Sequence, residues 1–474
     1  MIDTAHRGDH ASRRWPCVIR WMPALLAFAF CSVATRVIAQ QRPTPPDSAI
    51  PADSMLRDSL AARLVRAEAA IELLRRQLAV EATTVVRTRS RLQLELSARV
   101  LTNAFLTTQR VNNVDVPQFA RPTVAQTPVG GSPGARSLGL AVRQTRLGAA
   151  VSVDSVLGGI FEGDVELDFF GGVSAGPGDR RLFPEPRLRT ARARVRWSRS
   201  TLFVGSETPL ISDLNPISLA SIGVPDFVAA GNLWNWLPQV RASHDLVVRA
   251  SGVRVGVQGA LLAPFTNVQH LAETDVVDAG ERAARPYLEA RVNLRWGEGG
   301  AQSGAPSDAM LGDAGGEIGF GVHRGWLRAA GDSTSRSHAV SADARVMIAP
   351  GVELRGEAYR GQLLRGLGGG AIAQSFGRVA TGEFIGRPLR DTAGWVQLNI
   401  QAHVTLITGA GCGRDVVNVS DAPVRQSNTA CAAHLLWRPA QPLIMGLEFR
   451  TLRTQYAERT NRANHLNLSF GFEL

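Results

Sequence analysis

Arginines at every second position are the side chains of this chain best suited to act on a small solute. Arg192, Arg194 and Arg196 alternate with small or apolar residues across positions 191–197. A guanidinium group stays charged at any physiological pH and binds a carboxylate through two hydrogen bonds. Successive side chains of a strand point to opposite faces, so the three arginines share one face. Their spacing predicts a row of fixed positive charges that attracts small anions and lets them move from one arginine to the next.

The same parity places three more arginines on this predicted interior face. Arg254 alternates with valines, and Arg291 and Arg295 alternate with the apolar side chains of their strand. A charge turned towards lipid at the bilayer midplane costs ~2–4 kcal/mol in a barrel, which directs these arginines inward. Three acids are also predicted to point inward: Glu289, Glu353 and Glu357. They leave open a second interpretation, in which a balanced wall holds the barrel open without selecting a solute.

A long segment without strand-like alternation, residues 209–237, carries several turn signals. A loop of this length in a compact protein usually serves a function. Folded into the lumen, it would place Asp213 and Asn215 opposite the arginines and form a constriction. Folded outward, or packed between protomers, it would use Trp234 and Trp236 at that contact. The sequence leaves both placements open.

Long alternating segments predict the elements that hold these residues. Positions 287–296, 395–406 and 465–474 alternate apolar with polar or charged side chains, and the last of these runs to Leu474. Their length is roughly the 9–11 residues that a tilted spanning strand needs, and their polar faces suit a wet lumen. We therefore expect an all-β fold, a transmembrane antiparallel β-barrel. About 380 residues, at ~10 per strand plus turns, predict about 16 strands.

The first 90 residues divide into three predicted segments ahead of a barrel at 91–474. Residues 1–39 have the basic, apolar and small-residue regions of a secretory signal peptide, which predicts export. Residues 40–54 are rich in proline and form a predicted linker. Residues 55–90 repeat apolar side chains every seven positions, which predicts a short periplasmic helix in a coiled coil. A single amphipathic helix packed on the barrel is the alternative.

Composition narrows the remaining possibilities. The net charge is +11, but the 52 basic residues, all arginines, are spread along strands and are not clustered as in proteins that bind nucleic acid. The nine histidines lack metal-ligand spacing, and no cofactor motif or Ser-His-acid pattern stands out, so we expect no metal, cofactor or enzymatic activity. Cys412 and Cys431 are predicted to form a disulfide in the exported chain, with two unpaired cysteines as the alternative.

Several segments, taken in order, resemble the DcaP-like trimeric outer-membrane porins. They are LELSARVLTNAF (94–105), VELDFFGG (165–172), RLRTARARVRW (187–197), TPLISDLNPISLASIG (208–223), GNLWNWLPQVR (231–241), GWVQLNIQ (394–401) and the end of the chain. The resemblance implies a 16-stranded barrel behind a periplasmic coiled coil, assembled as a homotrimer that takes small anionic solutes such as dicarboxylates. The terminal strand also resembles the signal read by the outer-membrane assembly machinery, although most such signals end in Phe.

These observations predict an exported protein of the bacterial outer membrane, in contact with its lipid, through which small carboxylate-type anions diffuse passively. Two alternatives belong to other classes. One is a non-conducting barrel with a structural or adhesive role and a plugged lumen. The other is an outer-membrane enzyme acting on lipids, which would need a nucleophile beside a histidine on the lipid-facing surface.

Overall fold

A computed structural model of the protein describes ten parts of the chain. They are residues 85–87 (backbone only), 92–122, 136–171, 182–249, 252–266, 277–297, 311, 315–330, 333–379 and 386–474. The predicted signal peptide (1–39) and linker (40–54) lie outside the described residues, and so does the predicted helix (55–90) apart from Val85–Arg87. These three residues form a strand paired with the next one, so the helical prediction is wrong for them.

The described part of the chain is built mainly of β-strands. In chain order they are β1 (Val85–Arg87), β2 (Leu92–Thr107), β3 (Ser137–Ala141), β4 (Arg146–Val156), β5 (Gly159–Gly171), β6 (Glu185–Arg196), β7 (Ser200–Glu207), β8 (Leu237–Val248), β9 (Arg254–Leu262), β10 (Tyr287–Gly297), β11 (Gly315–Ala330), β12 (Ser333–Ala349), β13 (Val352–Gln362), β14 (Arg390–His403), β15 (Leu406–Val417), β16 (Arg425–Trp437), β17 (Leu443–Tyr456) and β18 (Thr460–Glu473). Short helices α1 (Ala279–Arg282) and α2 (Gly370–Ala373) and two 3₁₀ turns lie in the connections: Arg365–Leu367 and Val419–Asp421. Within these described ranges, no helix is long and apolar enough to cross a membrane.

The strands close into one antiparallel barrel. Each strand from β4 to β18 pairs with the next, and β18 pairs with β2, where Phe472 lies opposite Val100. β3 and β4 pair with different stretches of β2, so these two short strands share one position in the barrel. Counting β2, the shared position of β3 and β4, and the fourteen strands β5–β18 gives 16 positions. The predicted antiparallel barrel of about 16 strands is confirmed.

Alternation places polar side chains inside and apolar side chains outside. On β18, Asn467 and Ser469 are 1 % exposed, whereas Leu468 between them is 49 % exposed. β10 repeats the pattern, with buried Arg291 beside exposed Val292. The outward side chains form the apolar surface that a bilayer requires, and the inward ones surround the lumen.

The two ends of the barrel differ in their connections. At the end where the chain terminates, most connections are short turns, such as residues 157–158 and 350–351. At the other end, long connections such as residues 208–236 and 363–389 join the strands. We refer to these as the turn end and the loop end. The long connections are the part of the chain available to shape the lumen.

Cys412 and Cys431 lie directly opposite each other on β15 and β16 and form the predicted disulfide. Their chain neighbours Gly413 and Ala430 are buried, so by strand parity the disulfide lies on the outward face. It therefore links the two strands of a hairpin on the lipid side.

Leu468→Arg is expected to destabilise the barrel by ~2–4 kcal/mol, because it places a charge near the middle of the outward apolar face. Thr460→Arg, on the same face of β18 but at the loop end, is expected to cost under about 1 kcal/mol. Urea unfolding of the protein folded into phospholipid vesicles measures both values. Equal costs at the two positions would contradict the assigned outward face and its depth.

Candidate solute path

The connection between β7 and β8, residues 208–236, folds into the lumen, and we name it the inner loop. Ile211 donates its N–H to Glu289 on β10 (3.1 Å), and the hydroxyl group of Ser212 donates to Glu357 on β13 (2.6 Å). Irregular backbone inside a barrel requires such partners, because few water molecules can reach it. Of the two placements that the sequence left open, the structure has the inward one.

Farther along, the inner loop crosses to other parts of the wall. Ile217 exchanges two hydrogen bonds with Gln397 on β14, of 2.7 and 2.9 Å. Gln144, which lies between β3 and β4, donates to the carbonyl oxygen of Ala220 (2.8 Å). The loop thus contacts strands on widely separated sides of the barrel, and it narrows the lumen across its width.

A cluster of buried charges around Arg450 on β17 fixes the inner loop. The guanidinium group contacts Asp226 and Ser221 of the loop, and it binds Glu448 on its own strand (2.6 Å). The hydroxyl group of Ser218 donates to the other oxygen of Glu448 (2.6 Å). Burial raises the pKa of Asp226 to about 7 despite the opposing charge of Arg450. One guanidinium group therefore partners two carboxylates and ties the loop to the wall.

The two predicted constriction residues, Asp213 and Asn215, lie on the inner loop within the barrel. Oδ1 of Asp213 lies 3.8 Å from Nη1 of Arg241 on β8. The carbonyl oxygen of Asn215 accepts a hydrogen bond from Arg355 on β13 (2.8 Å). Both residues therefore contact arginines of the wall, on different sides of the lumen.

The tryptophans of the inner loop contact an inward arginine. The rings of Trp234 and Trp236 meet edge to face, with centroids 4.9 Å apart. Cζ of Arg189 on β6 lies 4.5 Å from the centre of the Trp236 ring. This cation–π contact holds the end of the loop against the inside of β6.

A second connection, between β13 and β14, also enters the lumen. In α2 the backbone is left-handed at Ala371 and Ile372 (φ 48° and 54°), a conformation that costs of order 1–3 kcal/mol per residue. Their N–H groups donate to the inward carboxyl groups of Asp391 (2.7 Å) and Asp415 (2.8 Å), and these hydrogen bonds offset part of the strain. Residues 108–122 enter in the same way and bind β16 and β17.

Beside the inner loop, a cavity of about 280 Å³ lies towards the turn end. Seven arginines line it: Arg192, Arg194, Arg196, Arg199, Arg241, Arg254 and Arg295. Three acids line it as well: Glu162, Glu207 and Asp245. Asp164 and Asp213 also pair with three of these arginines, so seven positive charges meet five negative ones, and the remaining excess of two concentrates anions.

The predicted arginine row of β6 faces this cavity, and acids hold its guanidinium groups. Arg192 and Arg194 share Asp164, at 2.7 and 3.2 Å. Arg196 binds Glu162 (2.7 Å). The exposed fractions of the three arginine side chains rise from 15 to 22 to 39 % towards the turn end. The row is therefore anchored at its inner end and most open to solutes at Arg196.

The acids that hold this row, Glu162 and Asp164 of β5 and Glu207 of β7, were not predicted from the sequence. On β5 the acids alternate at two-residue spacing and continue with Glu166 and Asp168, which bind Arg146, Arg187 and Arg189. This alternation obeys the same parity as the arginines and is the sequence signal for these acids. The three acids predicted to point inward bind elsewhere, since Glu289 and Glu357 hold the inner loop and Glu353 binds Arg345 and Arg355.

The other three predicted arginines are of two kinds. Arg254 and Arg295 line the cavity and share one carboxylate, Asp245, while the Arg254 side chain stays 52 % exposed. Arg291 does not reach the cavity, because its side chain is fully buried against Asp343 on β12 (2.7 Å). The prediction that Arg291 contacts solutes is therefore wrong. The carboxylate of Asp343, two strands away, neutralises Arg291. The sequence alone does not show that β12 lies within reach of β10.

The structure also brings together a serine, a histidine and an acid. Nδ1 of His323 lies 2.8 Å from Glu289, and its Nε2 lies 3.0 Å from Oγ of Ser337. The Ser337 hydroxyl donates to the carbonyl oxygen of Leu363 (3.2 Å) and is 1 % exposed. A nucleophilic serine must reach its substrate, whereas this hydroxyl group is buried between the histidine ring and a backbone carbonyl oxygen. The group links the inner loop, through Glu289, to the second inward connection.

Comparison with known proteins finds likeness in structure alone. No protein-family model matches the chain, and no curated protein matches it in sequence. The outer-membrane channel DcaP of Acinetobacter baumannii superposes with a TM-score of 0.60 at 13% identity, over 82% of this chain and 99% of that one. An anion-selective porin from Comamonas acidovorans gives 0.49 at 9% identity, over 81% and 100%. The similarity to DcaP shows a shared fold. This fold is the barrel that the sequence resemblance implied.

Arg450→Ala is expected to destabilise the protein by roughly 3–5 kcal/mol and to loosen the inner loop, because it leaves Asp226 and Glu448 buried without a cation. In detergent, chymotrypsin should then cleave after Phe227, which is 2 % exposed in the native protein. Arg453→Ala removes an exposed outward arginine of the same strand and is the matched control. Equal protection of the loop in both variants would show that Arg450 does not hold it.

Ser337→Ala is expected to cost about 1 kcal/mol, because it removes the hydrogen bonds of the hydroxyl group to Nε2 of His323 and to the carbonyl oxygen of Leu363. A fluorophosphonate probe should leave Ser337 of the folded protein unlabelled, since the hydroxyl group is buried. Mass spectrometry of the treated protein gives the answer. Labelling that disappears in Ser337→Ala would instead identify an active nucleophile and revive the enzyme alternative.

Proposed function

We propose that the protein is a porin of the bacterial outer membrane through which small anions, of the carboxylate class, diffuse passively. The observation that carries the proposal is the cavity beside the inner loop, where seven arginines meet five acids inside a closed 16-position barrel. The fold shared with the DcaP channel supports the same conclusion. A path of this kind needs no bond chemistry, because it lowers the barrier to passage by supplying compensating charge.

Arg196 and Arg254 are the first contacts in the proposed path from the turn end. They are the more exposed of the paired arginines that line the cavity, at 39 and 52 %. The deeper arginines, such as Arg192, are held more tightly by acids, so an anion exchanges between sites that differ in strength. Graded sites let a solute bind and leave, which passive transport requires.

The inner loop sets the size limit of this path. Its contacts with β10, β13, β14 and β17 fix it across the lumen, so large solutes are excluded by a rigid obstacle. Asp213 and Asn215 are the proposed constriction residues, because they meet Arg241 and Arg355 on different sides. Acids on the loop facing arginines on the wall orient a dipolar solute during passage.

The remaining features of the proposal concern assembly. The chain forms a homotrimer in the lipid of the outer membrane, its predicted helix up to residue 84 lies in the periplasm, and the terminal strand ending in Leu474 is read by the assembly machinery. The apolar outward face of β18, with Leu468 and Phe470 about half exposed, fits a lipid contact.

A non-conducting barrel is the second candidate, and a specific observation favours it. Three inward segments, residues 108–122, 208–236 and the connection after β13, pack into the loop-end half of the lumen with many side chains fully buried. Such packing suits a structural or adhesive barrel. Planar-bilayer recording separates the two functions, since a porin gives stable steps, in threes for a trimer, and a plugged barrel is silent.

Arg196→Gln with Arg254→Gln is expected to remove the positive charge excess of the cavity, from two to zero, and to lower the anion-to-cation permeability ratio at least about twofold. The reversal potential in a salt gradient measures the ratio. Arg249→Gln removes an exposed charge from a turn at the same end but outside the cavity lining, and should leave the ratio unchanged. A double variant that conducts with the original ratio would refute the role of these arginines.

A further inference from the structure

The outward face of β11–β18 carries charge of one sign only. Within these described strands, every acid from Glu317 on β11 to Glu448 on β17 is at most 5 % exposed and points inward, and Glu473 is paired with Arg99 and Arg438. The outward positions near the loop end carry arginines instead. Six of them are Arg324, Arg336, Arg360, Arg414, Arg453 and Arg462. This separation of charge is unrelated to the solute path, because it lies on the other side of the wall.

Three of these arginines form one row across four strands. Arg453 on β17 lies directly opposite Arg462 on β18, and on its other side Thr429 separates it from Arg414. All three side chains are exposed, and no ion pair joins them to any residue that the structure describes. Like charges directly opposite each other on neighbouring strands repel, so the row lacks a neutralising group within the described protein.

The depth of the row places it at the edge of the apolar surface. From Leu474 to Leu466, β18 presents apolar side chains outward over eight residues, roughly 27 Å along the strand and about 20 Å along the membrane normal at a tilt of ~40°. Arg462 lies four residues farther, about 31 Å above Leu474 on the same reckoning. An apolar band is ~25 Å tall, so the arginines meet the headgroups and not the acyl chains.

Barrels of the outer membrane carry their longer connections on the extracellular side, so the loop end lies beside the outer leaflet. We propose that Arg414, Arg453 and Arg462 form a binding site for the phosphate groups of a lipid in that leaflet. Guanidinium groups bind phosphate through paired hydrogen bonds, and neighbouring strands hold Arg453 and Arg462 about 5 Å apart, close enough to share one phosphate. The apolar pair Phe449 and Leu466 continues the same face below the row, with 49 and 42 % of each side chain exposed, and receives the acyl chains. This continuity favours a lipid over a free anion.

The site rests on the proposed outer-membrane location, but its test is independent of conduction. Full-length protein in detergent micelles is titrated with lipid A carrying two phosphates, and bound lipid is counted by native mass spectrometry. Arg453→Gln with Arg462→Gln is expected to weaken binding roughly tenfold or more, since each arginine near a charged lipid surface contributes substantially to attraction. Arg249→Gln removes an exposed charge at the turn end, away from the row, and should bind as the native protein does.

Two further arms fix the source of the phosphate. Lipid A with both phosphates removed should bind weakly to every variant, and inorganic phosphate at equal concentration should not displace the lipid. Unchanged binding in the Arg453/Arg462 variant overturns the site, and displacement by inorganic phosphate overturns the lipid as its ligand. A native protein that binds lipid but does not conduct would refute the porin proposal and leave this site standing.

Discussion

The pairing of charge inside the barrel is the interaction on which the rest of the structure depends. Strand parity in a lipid-facing barrel directs ionic side chains to the lumen, and a buried charge without a partner is strongly destabilising. The buried charges of the barrel wall find their partners in two ways. Near the turn end, acids of β5 pair with the arginines of β6 around a cavity, as Asp164 does with Arg192. Near the loop end, polar groups of the inward segments supply the partners.

The second solution links stability to the shape of the lumen. Glu289, Gln397 and Glu448 are wall residues whose partners lie on the inner loop. Each of these three residues gains a hydrogen-bond partner from the loop, and the backbone N–H groups of Ile211 and Ile217 are satisfied in return by Glu289 and Gln397. The inner loop is therefore held by hydrogen bonds and ion pairs to the wall as well as by apolar packing. These contacts make it a rigid obstacle in the lumen.

Much of this architecture follows from alternation, and the rest depends on contacts that alternation cannot specify. The inward face of β10 and the outward face of β18 were predictable, because a period of two assigns each side chain to a face. The fate of Arg291 was not, since its neutralisation by Asp343 depends on which strands are neighbours and in what register. The placement of residues 208–236 was undecided for a similar reason, because its partners lie as far as 230 positions away. The Ser337–His323–Glu289 group likewise arises from three strands.

The contact between the inner loop and Arg450 also has a consequence for biogenesis. Asp226 precedes its partner on β17 by 224 positions, so the loop cannot reach its final place until nearly all strands have been laid down. Shaping of the lumen thus belongs to the closing stage of assembly, together with the pairing of β18 and β2. Contacts of such long sequence separation form late and slowly. A chain truncated before β17 would retain many paired strands but would lack the anchor that fixes its obstruction.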